Sequence, residues 1–329
     1  MEPLSTALSS AVSTSYERWA HHEADAASPL YAGWARGIAA DDALAALLAE
    51  LPQRKRQPNL VFAAARTSGV PLAPWSAVRD AFASQWPRIR ATVLSRVTQT
   101  NEARRLATLV PGLHDIRGPI ALIEVGASAG LCLYPDKWRY RFGPGKYVGE
   151  ANRPLLETDA SPSVPLPAEV PQVVWRGGVD LNPLDPADPA TKEWLEALIW
   201  PNAHGEPDGE RVDVLRTGLA IARRDPAHLV KGDLLEEIEG LVTEAKRHAR
   251  RVVVWHSAVL AYLDERDRTA FADFMRASGV RWISNEGKLV DVGPAAPWAD
   301  PADFVLRIDG QPVARTNPHG RSIDWASDL

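Results

Sequence analysis

The feature that most constrains the fold is the rhythm of residues 120–284. Short apolar runs read as buried strands: IALIEVG (120–126), VPQVVWRGGVDL (170–181), AHLVKGD (227–233), RVVVWHS (251–257) and VRWIS (280–284). Stretches of helical length lie between them: TKEWLEALIW (191–200), RVDVLRTGLAIARR (211–224), LLEEIEGLVTEAKRHA (234–249) and AVLAYLDERDRTAFADFMRAS (258–278). A parallel pair of strands needs a crossover of a dozen or more residues, so this alternation predicts a mostly parallel sheet with helices on both faces. The stretch ADFVLRIDGQPVARTNPHG (302–320) differs, since two alternating runs around Asp309-Gly310 predict an antiparallel hairpin.

Residues 1 to about 115 lack such runs and read as helical. DDALAALLAEL (41–51) sets Ala43, Leu44, Leu47, Leu48 and Leu51 on one helical face, and QPNLVFAAARTSG (57–69) opens at Pro58 and stops at Gly69. WPRIRATVLSRVTQTNEARRLATLV (86–110) reads as one long helix with Ile89, Val93, Val97 and then Asn101 along a stripe. The organisation expected is a helical domain over 1–116, able to lid a site, and a Rossmann-like domain over 117–329 with a Gly- and Pro-rich insertion at about 143–172. A length of 329 residues suits two domains at roughly 150 residues each.

A net charge of −5, with 30 Arg and 7 Lys scattered among acids and no long basic run, argues against a nucleic-acid partner. The one cysteine, Cys132, rules out an internal disulfide and a cysteine zinc cluster, and fits a reducing compartment. The N-terminus lacks the basic start and apolar core of a signal peptide, and no apolar run approaches the roughly 18 residues of a membrane span. The expected location is the cytoplasm. The eight histidines show no HExxH-like spacing, so no metal is expected, and His21-His22 reads as solvated.

Residues 123–131, IEVGASAGL, carry the chemistry of the first strand end, and two readings compete there. A small-residue loop lets a cofactor lie against the backbone, with the N–H groups of a following helix favouring an anionic group. A G-x-S-x-G elbow would make Ser128 a nucleophile, with Asp303 or Asp309 and then His319, or else His256, as acid and base. The loop follows the first strand, and no HGGG-like stretch precedes it, so the order of elements favours the cofactor.

The strand–E-V-G-x-x-x-G pattern resembles motif I of class I S-adenosylmethionine-dependent methyltransferases, with Ser128 where a glycine is usual. The β/α order closed by a hairpin is similar to that fold over roughly 118–320. QTNEARR (99–105), EVGASAGL (124–131), WRGGVDLNPLD (175–185), KGD (231–233) and VVWHSAVLAYL (253–263) together resemble a bacterial family known as domain of unknown function 2332. The methyltransferase resemblance implies a Rossmann-like fold, S-adenosylmethionine as cofactor and a small-molecule methyl acceptor. It implies Glu124 near the methionyl ammonium, Gly126, Ser128 and Gly130 along its carboxylate, Asp180 on the ribose hydroxyls and Asp233 on the adenine amine. Asp180 lies fifty residues beyond Gly130, which assigns the excess to the insertion; were WRYRF (138–142) the second strand, Asp180 would lose that role.

For the chemistry, His256 at the end of the fourth strand is a candidate base, against the plainer reading of a hydrogen-bonded histidine at a strand end. Asn101, Glu102 and Arg104 are candidates to meet the acceptor from a capping helix, against a polar seam with Glu102 paired to Arg105. Asn285 and Glu286 follow the fifth strand and are candidate cleft residues, and Asn182-Pro183 shapes a turn. Trp175, Trp200, Trp255 and Trp282 read as core. The alternatives to a methyltransferase are a non-catalytic binding protein of the same fold and a serine hydrolase.

Overall fold

The computed structural model describes residues 4–99, 102–290 and 292–328. Six helices come first: α1 (Leu4–Trp19), α2 (Pro29–Ala39), α3 (Asp42–Ala49), α4 (Pro58–Thr67), α5 (Trp75–Ser84) and α6 (Trp86–Ser95). A short α7 (Leu106–Leu109) follows, and α8 (Pro189–Leu198), α9 (Gly209–Arg224), α10 (Leu234–His248) and α11 (Glu265–Ala277) come later, among the strands. The chain packs as two compact units, residues 1–100 with 188–215, and residues 101–187 with 216–329.

The first unit is helical and built on aromatic side chains. Phe62 of α4 meets Trp19, Tyr31 and Trp34 with ring centroids 5.8, 4.9 and 5.4 Å apart, each pair adding about 0.5–1.5 kcal/mol beyond area burial. Arg66 donates to the carbonyls of Ala197 (2.8 Å) and Ile199 (2.6 Å), closing the end of α8. Helix α8 therefore belongs with the N-terminal helices, a return that local sequence pattern does not reveal. The expected helix over 86–110 is shorter: α6 ends at Ser95, and Val97 is 40% exposed. The helical stripe therefore stops short of Val97, and Asn101 lies outside the described residues. The boundary expected at 116 also shifts, because residues 103–113 pack within the second unit.

The second unit carries an eleven-stranded, mostly parallel sheet. Its strands are β1 (Ile120–Val125), β2 (Arg139–Phe142), β3 (Lys146–Val148), β4 (Leu155–Ala160), β5 (Val173–Asp180), β6 (His228–Lys231), β7 (Arg251–Ser257), β8 (Arg281–Gly287), β9 (Phe304–Ile308), β10 (Gln311–Thr316) and β11 (Ser322–Trp325). They lie in the order β3-β2-β4-β11-β10-β9-β8-β7-β1-β5-β6. The five expected strands form the parallel block β6-β5-β1-β7-β8. The hairpin turns at Asp309 and Gly310, both at positive φ, as a two-residue turn that matches strand twist requires. The 143–172 stretch is more than a loop: β3 and β4 sit in it and, with β2, extend the far edge of the sheet beyond β11. WRYRF thus lies far from β1, and β5, ending in Asp180, is the parallel neighbour of β1.

The sheet has two unlike faces, because side chains alternate along each strand. Ile123 and Val125 of β1, Val254 of β7 and Trp282 of β8 share a core with Ile238, Leu241 and Val242 of α10 and Phe271 and Met275 of α11. The in-register residues Glu124 and Trp255, then Ser257 and Asn285, point to the opposite face. Residues 103–113 cover that face: Asn285 Nδ2 donates to Thr108 Oγ1 (3.3 Å), and Gly112 packs so closely on Ile283 that a Cβ there would press on its Cδ1 at 2.7 Å. One face of the sheet is thus oily and the other holds buried polar groups.

Candidate functional site

In the parallel block the chain runs outward from β1 through β5 to β6, then crosses back to β7. The carboxyl ends of β1 and β7 are therefore the switch point at which such sheets hold ligands. The loop 126–130 lies there. Its backbone donors serve the fold: Gly126 and Ala127 both donate to Val179 O (2.9 and 3.1 Å), Ser128 to Asp180 Oδ2 (2.8 Å) and Gly130 to Ala127 O (2.6 Å). After Gly130 come two three-residue 3-10 turns, Leu131–Leu133 and Pro135–Lys137, and then β2. No α-helix starts at this loop, so the helix dipole expected to hold an anion is missing. Val259 covers Gly126, where an added Cβ would overlap its Cγ2, and Leu133 and Leu229 lie against Gly130.

The two acids proposed for a cofactor are engaged otherwise. Asp180 accepts from the Ser128 amide and from the Asn182 amide (2.7 Å), which ties the first loop to the second and shapes the turn at Asn182. Asp233 caps α10, accepting from the Leu235 amide at 2.8 Å.

His256 departs from the expected cleft-facing base. Alternation along β7 turns it to the oily face, fully buried, while its neighbours Trp255 and Ser257 face the polar side. Trp282 Nε1 donates to its Nε2 (2.9 Å); an indole nitrogen only donates, so Nε2 presents its lone pair. Nδ1 then carries the hydrogen and donates to Glu286 Oε1 (2.7 Å). Glu286 also accepts from the amides of Val259 (3.0 and 3.1 Å) and Leu260 (3.3 Å). The imidazole has no free nitrogen for proton transfer in this arrangement. Asn285 is buried on the other face, and its Oδ1 accepts from Thr316 Oγ1 at 2.7 Å.

Ser128 has φ 51°, the left-handed region where glycine is easier, and its hydroxyl is buried without a partner among the described residues. No imidazole bonds to it, and β1 is the first described strand, so the elbow geometry is not formed. Asp309 is held in the hairpin, accepting from the Trp282 amide at 2.8 Å, and Asp303 accepts from the Asp300 amide at 2.8 Å.

What the structure does bring together is a polar cluster on the covered face. Glu124 Oε2, Trp255 Nε1 and Ser257 Oγ are buried there with no hydrogen-bond partner among the described residues, and so is Ser128 Oγ in the loop that follows β1. Burial pushes the Glu124 carboxyl well above the usual carboxylate range; the Cys132 thiol and the Arg105 guanidinium beside it pull the other way. Burial also pushes the Cys132 thiol up, and Glu124 adds to that. Glu102 is buried and its carbonyl lies 3.5 Å from Cys132 Sγ, while Arg104 Nη1 donates to Glu157 O (3.0 Å). Arg105, read from sequence as a surface partner of Glu102, is 6% exposed, and donates to Pro318 O (2.9 Å) and Ser257 O (3.3 Å). The signal for Trp255 and Ser257 was present in the two-residue period of β7, which sets both on the side of Glu124 once β1 and β7 are paired.

A mostly parallel sheet with its strand order reversing at β1 and helices packed on it defines a mixed α/β protein. Within that class the chain belongs to the bacterial family described as "Uncharacterized protein conserved in bacteria (DUF2332)", which it matches over residues 13–325. No curated protein and no solved structure matches it. Among the described residues no helix is long and apolar enough to cross a membrane, and no three His, Cys, Asp or Glu side chains group to hold a metal ion.

Proposed function

We propose that the chain binds and transforms a small polar molecule on the covered face, at the carboxyl ends of β1 and β7, with Glu124 giving or taking a proton. The observation that carries this reading is the set of buried polar atoms without partners, Glu124 Oε2, Trp255 Nε1, Ser257 Oγ and Ser128 Oγ, gathered at the switch point. Each such atom costs about 1–3 kcal/mol when left unpaired, and a ligand that pairs with several recovers that energy on binding. A carboxyl group whose burial raises its hold on the proton is of the kind used in acid–base catalysis. Residues 103–113 keep bulk water from it.

The test is a thermal-shift screen of small polar metabolites, with S-adenosylmethionine and S-adenosylhomocysteine among them, on the wild type and Glu124→Gln. A compound other than the two S-adenosyl compounds that stabilises the wild type and not the variant supports the reading; an S-adenosyl compound that does so supports the second reading below. A screen in which every stabilising compound acts equally on both proteins sinks the covered-face reading.

Methyl transfer from S-adenosylmethionine to a small acceptor is the second reading. The strand order about β1, the acid near its end and Asp180 at the end of β5 favour it. The loop as arranged does not fit the cofactor: four of its five amides are committed, Val259 covers Gly126, and Asp233 caps a helix. This reading therefore requires the 258–260 segment to move. A non-catalytic binding role would use the same buried polar atoms and leave any bound compound unchanged.

A further inference from the structure

Resting on the covered face as a ligand site, we infer that its ligand carries a carboxylate, received by the guanidinium of Arg105 together with the hydroxyl of Ser257. The inference comes from a count of donors and acceptors. A guanidinium and an indole N–H only donate, and a hydroxyl with no partner can donate as well. Arg105, Trp255 Nε1 and Ser257 Oγ therefore give the face a surplus of donors, and an acceptor-rich group complements it.

Charge points the same way. Arg105 is 6% exposed, and its two hydrogen-bond partners, the carbonyls of Pro318 and Ser257, are uncharged. These bonds use two of its five N–H groups and fix the plane of the fork beside Ser257. Glu124 lies near enough to sense this charge, and burial opposes the ionisation that would pair it with Arg105. A buried cation without a compensating charge is costly, and a ligand carboxylate supplies the charge and the paired geometry that the fork prefers. The loop 126–130 does not compete for that anion, because Gly126, Ala127, Ser128 and Gly130 have spent their amides on the fold.

The experiment measures binding at pH 7 by calorimetry and thermal shift for malonate and succinate, with malonamide and succinamide as neutral isosteres and inorganic phosphate as an anion control. The expected result is saturable binding of a carboxylate and none of its amide, at least about tenfold weaker in Arg105→Lys, which keeps the charge and loses the fork. Arg105 also anchors Pro318, so Ser257→Ala is the companion variant. It removes a hydroxyl that has no partner, so the free protein stays as stable as wild type or gains stability, while carboxylate binding weakens by about tenfold. Amides that bind as well as carboxylates, with Ser257→Ala weakening both, would overturn the carboxylate assignment and leave the ligand site standing. Phosphate binding without carboxylate binding also overturns the assignment. No binding by any of these probes, together with a metabolite screen empty of Glu124-dependent compounds, removes both readings.

Discussion

His256 Nδ1 and Glu286 Oε1 lie 2.7 Å apart, both side chains buried, and the same carboxylate receives the amides of Val259 and Leu260. This joins the end of β7, the end of β8 and the loop that seats Val259 on Gly126. Ala258, at φ 59°, is held in a left-handed conformation by the same loop. A catalytic base would need one ring nitrogen free, and here Glu286 takes Nδ1 and Trp282 takes Nε2. Glu286→Gln puts amide hydrogens where two N–H groups and an imidazole N–H now donate. It is expected to cost about 2–3 kcal/mol, as for other bonds to a buried charged group. Urea denaturation measures it, and an unchanged midpoint would refute the structural role.

Gly126→Ala is expected to destabilise by about 2–4 kcal/mol. Its φ of 71° disfavours a Cβ by roughly 1–2 kcal/mol, and overlap with Val259 adds the cost of an overpacked site. Val259→Ala in the same chain should return the overlap part and leave the backbone part. A double-mutant cycle separates them, with a coupling of about 1–2 kcal/mol expected. Additive effects would mean that Val259 does not occupy the space over Gly126.

Glu124 has a pH signature. Its folded carboxyl holds its proton more tightly than the usual value of 4.5, so between that value and its raised one the native state binds more protons than the unfolded state. Stability contributed by this group is therefore present at acid pH and falls as pH rises through the window. Glu124→Gln removes the dependence, so the variant gains on wild type by up to about 1.4 kcal/mol per pH unit above pH 4.5. Urea midpoints for both proteins between pH 5 and 8 test this. Parallel curves would place the carboxyl in ordinary solvation.

The parallel block was legible because each strand carries its own apolar run and a glycine, acid or serine at its end. The DG turn named the hairpin, and Gly69 ended α4 as read. Other features depend on partners remote in sequence. α8 packs with helices about 130 residues earlier through Arg66, and β2, β3 and β4 join the sheet through β11, with no crossover signal of their own. The 86–110 stretch has a helical period, yet its chain leaves the helix after Ser95 and lays residues 103–113 on the sheet, where tertiary contacts outweigh propensity. At the site, Glu124 and Ser128 were found from the strand–loop pattern. Trp255 and Ser257 were not, because their place beside Glu124 depends on the register of β1 with β7, nor was Arg105, which reaches Ser257 through the packing of residues 103–113 on the sheet. Asp180 and Asp233 stand where the pattern puts an acid, and in this chain the backbone takes their oxygens.

Asp180 and Val259 together separate the two readings of the switch point. If S-adenosylmethionine is the cofactor, Val259→Ala clears the space over Gly126, and calorimetry should show tighter binding than in wild type, by about tenfold for a relieved packing conflict. Asp180→Asn would then weaken binding, because the amide offers one acceptor to two ribose hydroxyls. If the ligand lies on the covered face instead, Val259→Ala binds no S-adenosyl compound. Asp180→Asn then acts in the free protein, where one of two backbone amides, that of Ser128 or that of Asn182, loses its carboxylate acceptor. The expected loss is about 1–3 kcal/mol in urea denaturation. Tight S-adenosylmethionine binding by the wild type, abolished in Asp180→Asn at unchanged stability, would reject the covered-face reading. We expect the opposite pattern: a stability loss in Asp180→Asn and no heat from the cofactor in either variant.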